Sequence, residues 1–306
     1  MIYDLAILGG GPAGVAAGVY ASRKRLKTVF ITESFGGQSI DSTGIENWIG
    51  TINIPGTQLA EDLKKHLLAY AKDSVDIHEG ERVTLVSKTD SGFSVQTNNG
   101  TYGAKTVLVT TGSSRRKLDI KGAKEFENKG ITYCASCDGP LFSDQNVMVI
   151  GGGNAGFETA AQLLAYCKSV TLITHGNFKA DPVTVEKVTA HPNMKAIEKA
   201  TPVEIKGSQF VSSVVYSDDA TQNLVEVPVT GVFVEIGLIP ATDYVKDIVE
   251  RNQYGQIIID PKTQQTKTAG IWAAGDCTDS LYHQNNIAAG DAVRALEDIY
   301  SHIHTK

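Results

Sequence analysis

Asp4-Leu-Ala-Ile-Leu-Gly-Gly-Gly-Pro-Ala-Gly-Val-Ala-Ala17 decides the fold. A short apolar run enters a glycine turn, and the turn opens an alanine-rich segment. That order predicts a buried strand from Tyr3 to Leu8, a tight turn, and a helix from Pro12 to Arg23. Each glycine has its own task. Gly9 makes the turn, Gly11 lets the backbone approach a pyrophosphate, and Gly14 lets the helix sit close on the strand. The unpaired N–H groups at a helix start favour phosphate charge. A second strand, Lys27 to Thr32, follows and ends at Glu33, 19 residues beyond Gly14. An acid about 20 residues on is placed to accept a ribose hydroxyl. A lone glycine pattern is weak, but strand, glycines, helix, strand and acid in order are specific.

The same pattern returns at Val147-Met-Val-Ile-Gly-Gly-Gly-Asn-Ala-Gly-Phe-Glu-Thr-Ala160, with its glycine turn 142 residues after the first. That spacing is too long for a solenoid repeat and suits two copies of a βαβ nucleotide-binding domain. Gly151, Gly153, Asn154 and Gly156 form the second turn, a helix runs to about Cys167, and a strand covers Ser169 to Ile173. Thr174-His175-Gly176-Asn177-Phe178-Lys179 comes next. It holds no carboxylate for a ribose 2′-hydroxyl and no arginine for a 2′-phosphate.

With 306 residues, at about 150 per domain, the chain has room for two domains. Hydrophobic residues make up 42% and charged residues 20%, which excludes disorder as the main state. A net charge of −6 argues against nucleic acid or an anionic membrane as partner. No apolar run approaches the ~20 residues of a membrane span. The first apolar stretch runs straight into glycines and reads as a strand, not a leader.

Strands at Val107 and Gly231, each ending in a glycine turn, mark where the chain crosses between domains. A buried strand near Ile271 and a last helix from Asn285 to Ile303 close the chain. The reading is an α/β protein of two Rossmann-like domains, one inserted into the other. Residues 1–113 and 243–306 form one domain, and residues 114–242 form the second.

Cys134-Ala-Ser-Cys137-Asp138-Gly139 carries the chemistry. Cysteines at i and i+3 share one side of a helical turn, and a slight tightening brings them into disulfide geometry. A helix start also stabilises a thiolate. Gly139-Pro140 limits any helix there to a short one, and Asp138 is placed to move protons on and off a thiol. A zinc half-site would need two more ligands, which neither a second Cys-x-x-Cys nor clustered histidines supply. An inert thiol pair is the other alternative. Cys167 reads as a small core residue, and Cys277 lies near the first nucleotide turn. Trp48 and Trp272 read as core or cofactor-wall residues, and Arg115-Arg116-Lys117 as a solvated basic run.

The whole chain, from Gly9 to the last helix, resembles the low-molecular-weight thioredoxin reductases. The stretches that carry the likeness are Gly9 to Gly14, Gly36-Gly-Gln38, Glu46-Asn-Trp-Ile-Gly50, Thr111-Gly112, Cys134 to Asp138, Gly151 to Asn154, Gly275-Asp276 and Gln284. Cys137 to Phe142 and Val232 to Pro240 also resemble the reductase part of alkyl hydroperoxide reductase flavoproteins, whose extra N-terminal disulfide domain is not expected here.

The resemblance implies FAD in the first domain. Gly9, Gly11, Pro12, Ala13, Gly14 and Glu33 would hold its pyrophosphate and adenosine ribose. Gly37, Gln38, Asn47, Thr111 and Gly112 would lie along it, with Gly275 and Asp276 near the ribityl chain and Gln284 and Asn285 at the isoalloxazine end. Gly151, Gly153, Asn154 and Gly156 would hold NADPH or NADH. The family's pattern has Cys137 facing the flavin, Cys134 attacking the disulfide of thioredoxin or a thioredoxin-like protein, and Asp138 as acid–base residue. It further implies a homodimer and domain rotation about the crossovers. The four cysteines, one close pair and two distant thiols, suit a cytoplasmic protein rather than a secreted one, and the missing zinc ligands leave no metal expected. One departure is informative: both arginines of the family's NADPH motif are missing after Ile173, and one lysine does not replace bidentate arginine contacts. Relatives without that motif draw on reduced ferredoxin or another donor, or run as dithiol oxidases on O₂. The expected activity is thioredoxin-type disulfide reduction with an atypical donor. The alternatives are a dithiol oxidase, a NADH- or NADPH-dependent reductase component of a peroxiredoxin system, and a non-catalytic nucleotide-binding regulator.

Overall fold

Leu5, Ala6, Ile7 and Leu8 are all fully buried, as a parallel strand covered on both faces requires. A computed structural model describes residues 2–42 and 44–305. Along the chain come β1 (Ile2–Gly10), α1 (Pro12–Arg23), β2 (Thr28–Phe35), α2 (Gly56–Ala71) and β3 (Val75–Glu79). A meander of β4 (Val83–Thr89), β5 (Gly92–Thr97) and β6 (Thr101–Val109) follows, and β7 (Ser113–Arg115) leads out. Then come β8 (Ile131–Thr132), α3 (Ala135–Asp138), β9 (Asn146–Ile150), α4 (Asn154–Leu163), β10 (Ser169–Ile173), α5 (Pro182–Thr189) and β11 (Met194–Ile197). The antiparallel strands β12 (Ala200–Gly207), β13 (Val211–Asp218) and β14 (Leu224–Pro228) precede β15 (Gly231–Val234). β16 (Leu238–Pro240) leads back to β17 (Ile271–Ala273) and α6 (Asn285–Thr305).

Two compact units result. The first joins the chain up to Ser114 with the chain from Ile239 onward, and the second is Arg115–Leu238. The return crossing therefore precedes the 242 expected from the sequence. The reason is local: Thr242 is fully buried, and its hydroxyl donates to the Gly255 carbonyl at 2.6 Å, which ties it to the first unit.

In the first unit the sheet order is β3-β2-β1-β6-β5-β4, with β17 also paired to β6. The β1–β2, β2–β3, β1–β6 and β6–β17 pairs are parallel. Chain order runs outward from β1 through β2 to β3, then crosses to β4 at the far edge and returns through β5 to β6 on the other side of β1. That reversal opens a crevice at the carboxyl ends of the strands. One face is covered by α1, α2 and α6 through Val15, Leu67, Ala292 and Leu296. The other packs Val86, Phe93, Val245 and Ile257 against the sheet.

The second unit repeats the plan with a parallel sheet ordered β11-β10-β9-β15-β8. Here the reversal falls between β9 and β15. Phe157, Leu163 and Val188, from α4 and α5, cover one face. Ile205, Val214 and Tyr216, from the antiparallel strands, cover the other. α4 ends at Leu163, short of the expected Cys167, because the chain turns there: Ala165 N–H donates to Gln162 O and Cys167 N–H to Leu163 O.

Candidate functional site

The crevice of the first unit is a cavity of about 740 Å³. Gly9, Gly11, Pro12, Ala13, Glu33, Gly37, Gln38, Thr111, Gly112, Gly275, Asp276 and Asn285 line it. α1 opens onto it at Gly11 with no side-chain cap, so the unpaired N–H groups of that turn are left for a ligand. Gly9 holds φ +116°, and a Cβ there would meet the Thr110 carbonyl oxygen at 2.4 Å. Gly14 lies against the turn and is not on the wall.

Asn47 and Gln284 are not on the wall either, but the fold brings them together. The Asn47 amide donates to Gln284 Oε1 at 3.1 Å, and the Asn286 amide donates to the Asn47 carbonyl at 2.7 Å. Ser39 Oγ donates to Asn285 Oδ1 at 3.0 Å. The loop after β2 is thereby laced to the start of α6. Gln38 donates to Ser113 at the outgoing crossing. A carboxylate at the end of β2, open helix N–H groups, and a carboxylate beyond β17 fit the ribose, pyrophosphate and ribityl hydroxyls of a flavin dinucleotide.

Glu33 is not a solitary acid: the Arg82 guanidinium, from the loop before β4, donates to its Oε1. Beside Arg82, the carboxylate of buried Glu81 accepts from Thr97 at 2.7 Å and Tyr102 at 2.9 Å, with His78 at 3.2 Å. Burial alone would raise the Glu81 pKa, but those hydrogen bonds outweigh it and lower it. Sequence reading missed this cluster, because its members are charged or polar residues spread over four strands and loops.

Cys277 lies beneath Asp276, fully buried, with its thiol directed at the Ala274 and Val109 carbonyls. Burial pushes that thiol up to about 12, so it is no nucleophile. Cys167 is also buried, and burial raises its thiol to about 11. Trp272 is a fully buried core residue, whereas Trp48 packs beside Ile45, Ile54 and Leu59.

In the second unit Cys134 and Cys137 are joined by a disulfide, with Cα atoms 5.3 Å apart. The two residues do not share one helical turn as the spacing suggested. Cys134 is extended (φ −144°, ψ 101°) and precedes a single turn of helix that begins at Ala135. The helix is short because Gly139-Pro140 starts a separate 3₁₀ turn. Thr132, on β8, was missed by sequence reading. Its hydroxyl donates to Asp138 Oδ2 and accepts the Cys134 N–H at 3.3 Å. One buried hydroxyl thus links the pair's first cysteine to the adjacent acid.

The second glycine turn repeats the first: Gly151 holds φ +139°, and a Cβ on Gly156 would meet Gly151 O at 2.0 Å. Gly153 caps α4 without a side-chain bond. Asn154 Oδ1 accepts the Asp181 N–H at 2.8 Å, so it braces the loop after β10. Tertiary structure also brings that loop the carboxylates its sequence lacks. His175 meets Thr201 Oγ1 at 2.7 Å and Asp219 Oδ2 at 3.3 Å, and Glu198 accepts the Phe178 N–H at 2.7 Å. At the end of β15, Glu235 accepts from Thr159 Oγ1 at 2.8 Å, and burial raises its carboxyl above the ordinary value.

Among the described residues, no helix is long and apolar enough to cross a membrane, and no group of three or more His, Cys, Asp or Glu is placed to hold a metal.

Residues 3–292 match the family described as pyridine nucleotide-disulphide oxidoreductase. The chain is 39% identical over 303 residues to the NADH dehydrogenase of Bacillus subtilis (strain 168), covering 98% of this chain and 58% of that protein. It is 38% identical over 303 residues to an alkyl hydroperoxide reductase component of Staphylococcus epidermidis (strain ATCC 35984), covering 98% and 59%. The chain therefore spans under two thirds of the length of these curated relatives. The solved thioredoxin reductase of Streptococcus pyogenes MGAS5005 superposes with a TM-score of 0.91 at 31% identity, covering 100% of this chain and 99% of that one.

Proposed function

Because the chain belongs to the pyridine nucleotide-disulphide oxidoreductase family, we propose that it is a flavin-dependent disulfide reductase acting on a thioredoxin-like protein. The observation that carries the reading is the closed Cys134–Cys137 disulfide beside Asp138. FAD in the first unit's cavity would supply a two-electron carrier between a reduced dinucleotide and that disulfide. Once the pair is reduced, the Cys134 thiolate attacks one sulfur of the substrate disulfide, and the other sulfur leaves as a thiolate. The Cys137 thiolate then attacks Cys134 Sγ, the Cys134–Cys137 disulfide re-forms, and the substrate departs as a dithiol. Two electrons move from the pair to the substrate. Thr132 donates to the Asp138 carboxylate, and we assign Asp138 the role of taking the proton that the Cys134 thiol gives up and passing it to the leaving thiolate. Leu141, 66% exposed just beyond the pair, supports a protein as the substrate.

The donor we propose is NADH rather than NADPH. His175, the imidazole of the loop after β10, is engaged by Asp219, and Glu198, just past β11, accepts a backbone N–H from the same loop. Two carboxylates there oppose a 2′-phosphate and suit a free ribose hydroxyl. The names of the relatives from Bacillus subtilis and Staphylococcus epidermidis agree with a reductase fed by NADH or serving peroxide removal. The latter is the second reading, in which the dithiol substrate belongs to a peroxidase system.

Anaerobic mixing tests the donor and the dithiol together. NADH should bleach the flavin absorbance rapidly and NADPH slowly. Cys134→Ser and Cys137→Ser should keep the yellow cofactor and lose reduction of a thioredoxin disulfide. Retained activity in either variant removes the pair from the reaction, and oxygen uptake with a small dithiol as fast as thioredoxin reduction favours oxidase chemistry instead.

A further inference from the structure

The Glu33–Arg82 pair lies at one end of the first unit's cavity, where both residues are part of the wall. Asp276, beyond β17, is at the other end. β2, β1, β6 and β17 are successive neighbours in the sheet, so three strand spacings, about 14 Å, separate the two ends. A dinucleotide laid across the strand ends, with its pyrophosphate at the α1 N-terminus, puts its adenosine over Glu33 and Arg82.

Arg82 is held firmly. Its N–H donates to Asn98 Oδ1 at 2.8 Å, its carbonyl accepts the Asn98 N–H, and the neighbouring Glu81 N–H donates to Thr32 O on β2. The buried Glu81 cluster backs the same loop. The side chains themselves are exposed, 71% for Arg82 and 53% for Glu33. An ion pair that open to water contributes almost nothing to folding. Its use lies in what covers it. An adenosine over the pair displaces water, and a carboxylate left there without its cation becomes costly.

We infer that Arg82 is a positioning residue of the cofactor site: it fixes the Glu33 carboxylate across the adenosine end of the cavity, so that the chain retains a flavin adenine dinucleotide over a flavin mononucleotide. This rests on reading the cavity as an FAD site. Glu33 Oε1 takes the guanidinium, and the second carboxylate oxygen is left to accept a ribose hydroxyl. Sequence reading had found Glu33 but not its clamp.

The test is flavin binding by the full chain stripped of cofactor, followed by quenching of flavin fluorescence. Arg82→Ala should raise the Kd for FAD about tenfold and leave the Kd for FMN unchanged. Arg82→Lys should fall between, since it keeps the charge and loses the planar fork. The melting temperature of the stripped protein should not move. Equal FAD affinity in wild type and Arg82→Ala overturns the inference alone. So does parallel weakening of FAD and FMN, or a lowered melting temperature that accounts for the lost affinity. A wild-type chain that takes up no FAD overturns both the inference and the cofactor reading beneath it.

Discussion

A Cβ on Gly14 would lie 1.8 Å from the carbonyl oxygen of Gly9, and one on Gly156 would lie 2.0 Å from that of Gly151. In each case helix and strand approach so closely that only hydrogen fits, and the obstacle is backbone, which cannot swing aside. Gly14→Ala should therefore cost about 3 kcal/mol or more and yield a chain that holds little flavin. Gly156→Ala should spare the first unit. Visible absorbance should remain in the second variant while bleaching by NADH slows at least tenfold.

Thiol accessibility separates the four cysteines. Cys167 and Cys277 are buried free thiols, and burial raises both pKa values. The reduced native protein should react with an aromatic disulfide reagent only at Cys134 and Cys137, with the other two appearing in denaturant. Labelled peptides after digestion check the assignment. Rapid native labelling of Cys277 would contradict its burial.

Much of the fold was legible beforehand because its signals are local. A strand, a glycine turn and a helix lie consecutively, so α1 begins at Pro12 and β10 spans Ser169–Ile173 where periodicity put them. What escaped is what tertiary structure assembles. Arg82 meets Glu33 across 49 residues of chain, and Asp219 reaches the β10 loop by way of the β13–β14 hairpin. The missing carboxylate after Ile173 was thus missing only in sequence. The extended form of Cys134 escaped for a different reason: i, i+3 spacing suits a helical turn and equally a helix with the first cysteine just outside it.

Glu235 gives a pH signature. Burial raises its carboxyl above the ordinary 4.5, against the hydrogen bond from Thr159 and the opposing charge of Arg115, with Glu158 adding to the rise. An acid whose pKa rises on folding favours the folded state in its neutral form. Its contribution is full below the unfolded value of about 4.5 and is lost as pH climbs through the folded one. Glu235→Gln keeps an acceptor for Thr159 and cannot ionise. Its melting temperature should exceed the wild type's by a few degrees at pH 8, and the two curves should converge near 4.5.

Donor choice should be reversible at the β10 loop. His175→Arg combined with Asp219→Asn removes one carboxylate and adds a bidentate partner for a 2′-phosphate. Catalytic efficiency with NADPH should rise about tenfold or more, while that with NADH falls. Steady-state kinetics with both nucleotides decide it, and unchanged preference would show that the loop does not read the ribose.

The insertion between β7 and β16 also sets an order of assembly. Every strand of the inserted unit has left the ribosome once Leu238 has emerged, so that half can close on itself early. The outer half must wait: β6 lacks its neighbour β17, and the helical face lacks α6, until those later residues are made. Its nascent first segment is thus an open sheet throughout synthesis of the insertion, and the crevice gains its last wall only when α6 has emerged.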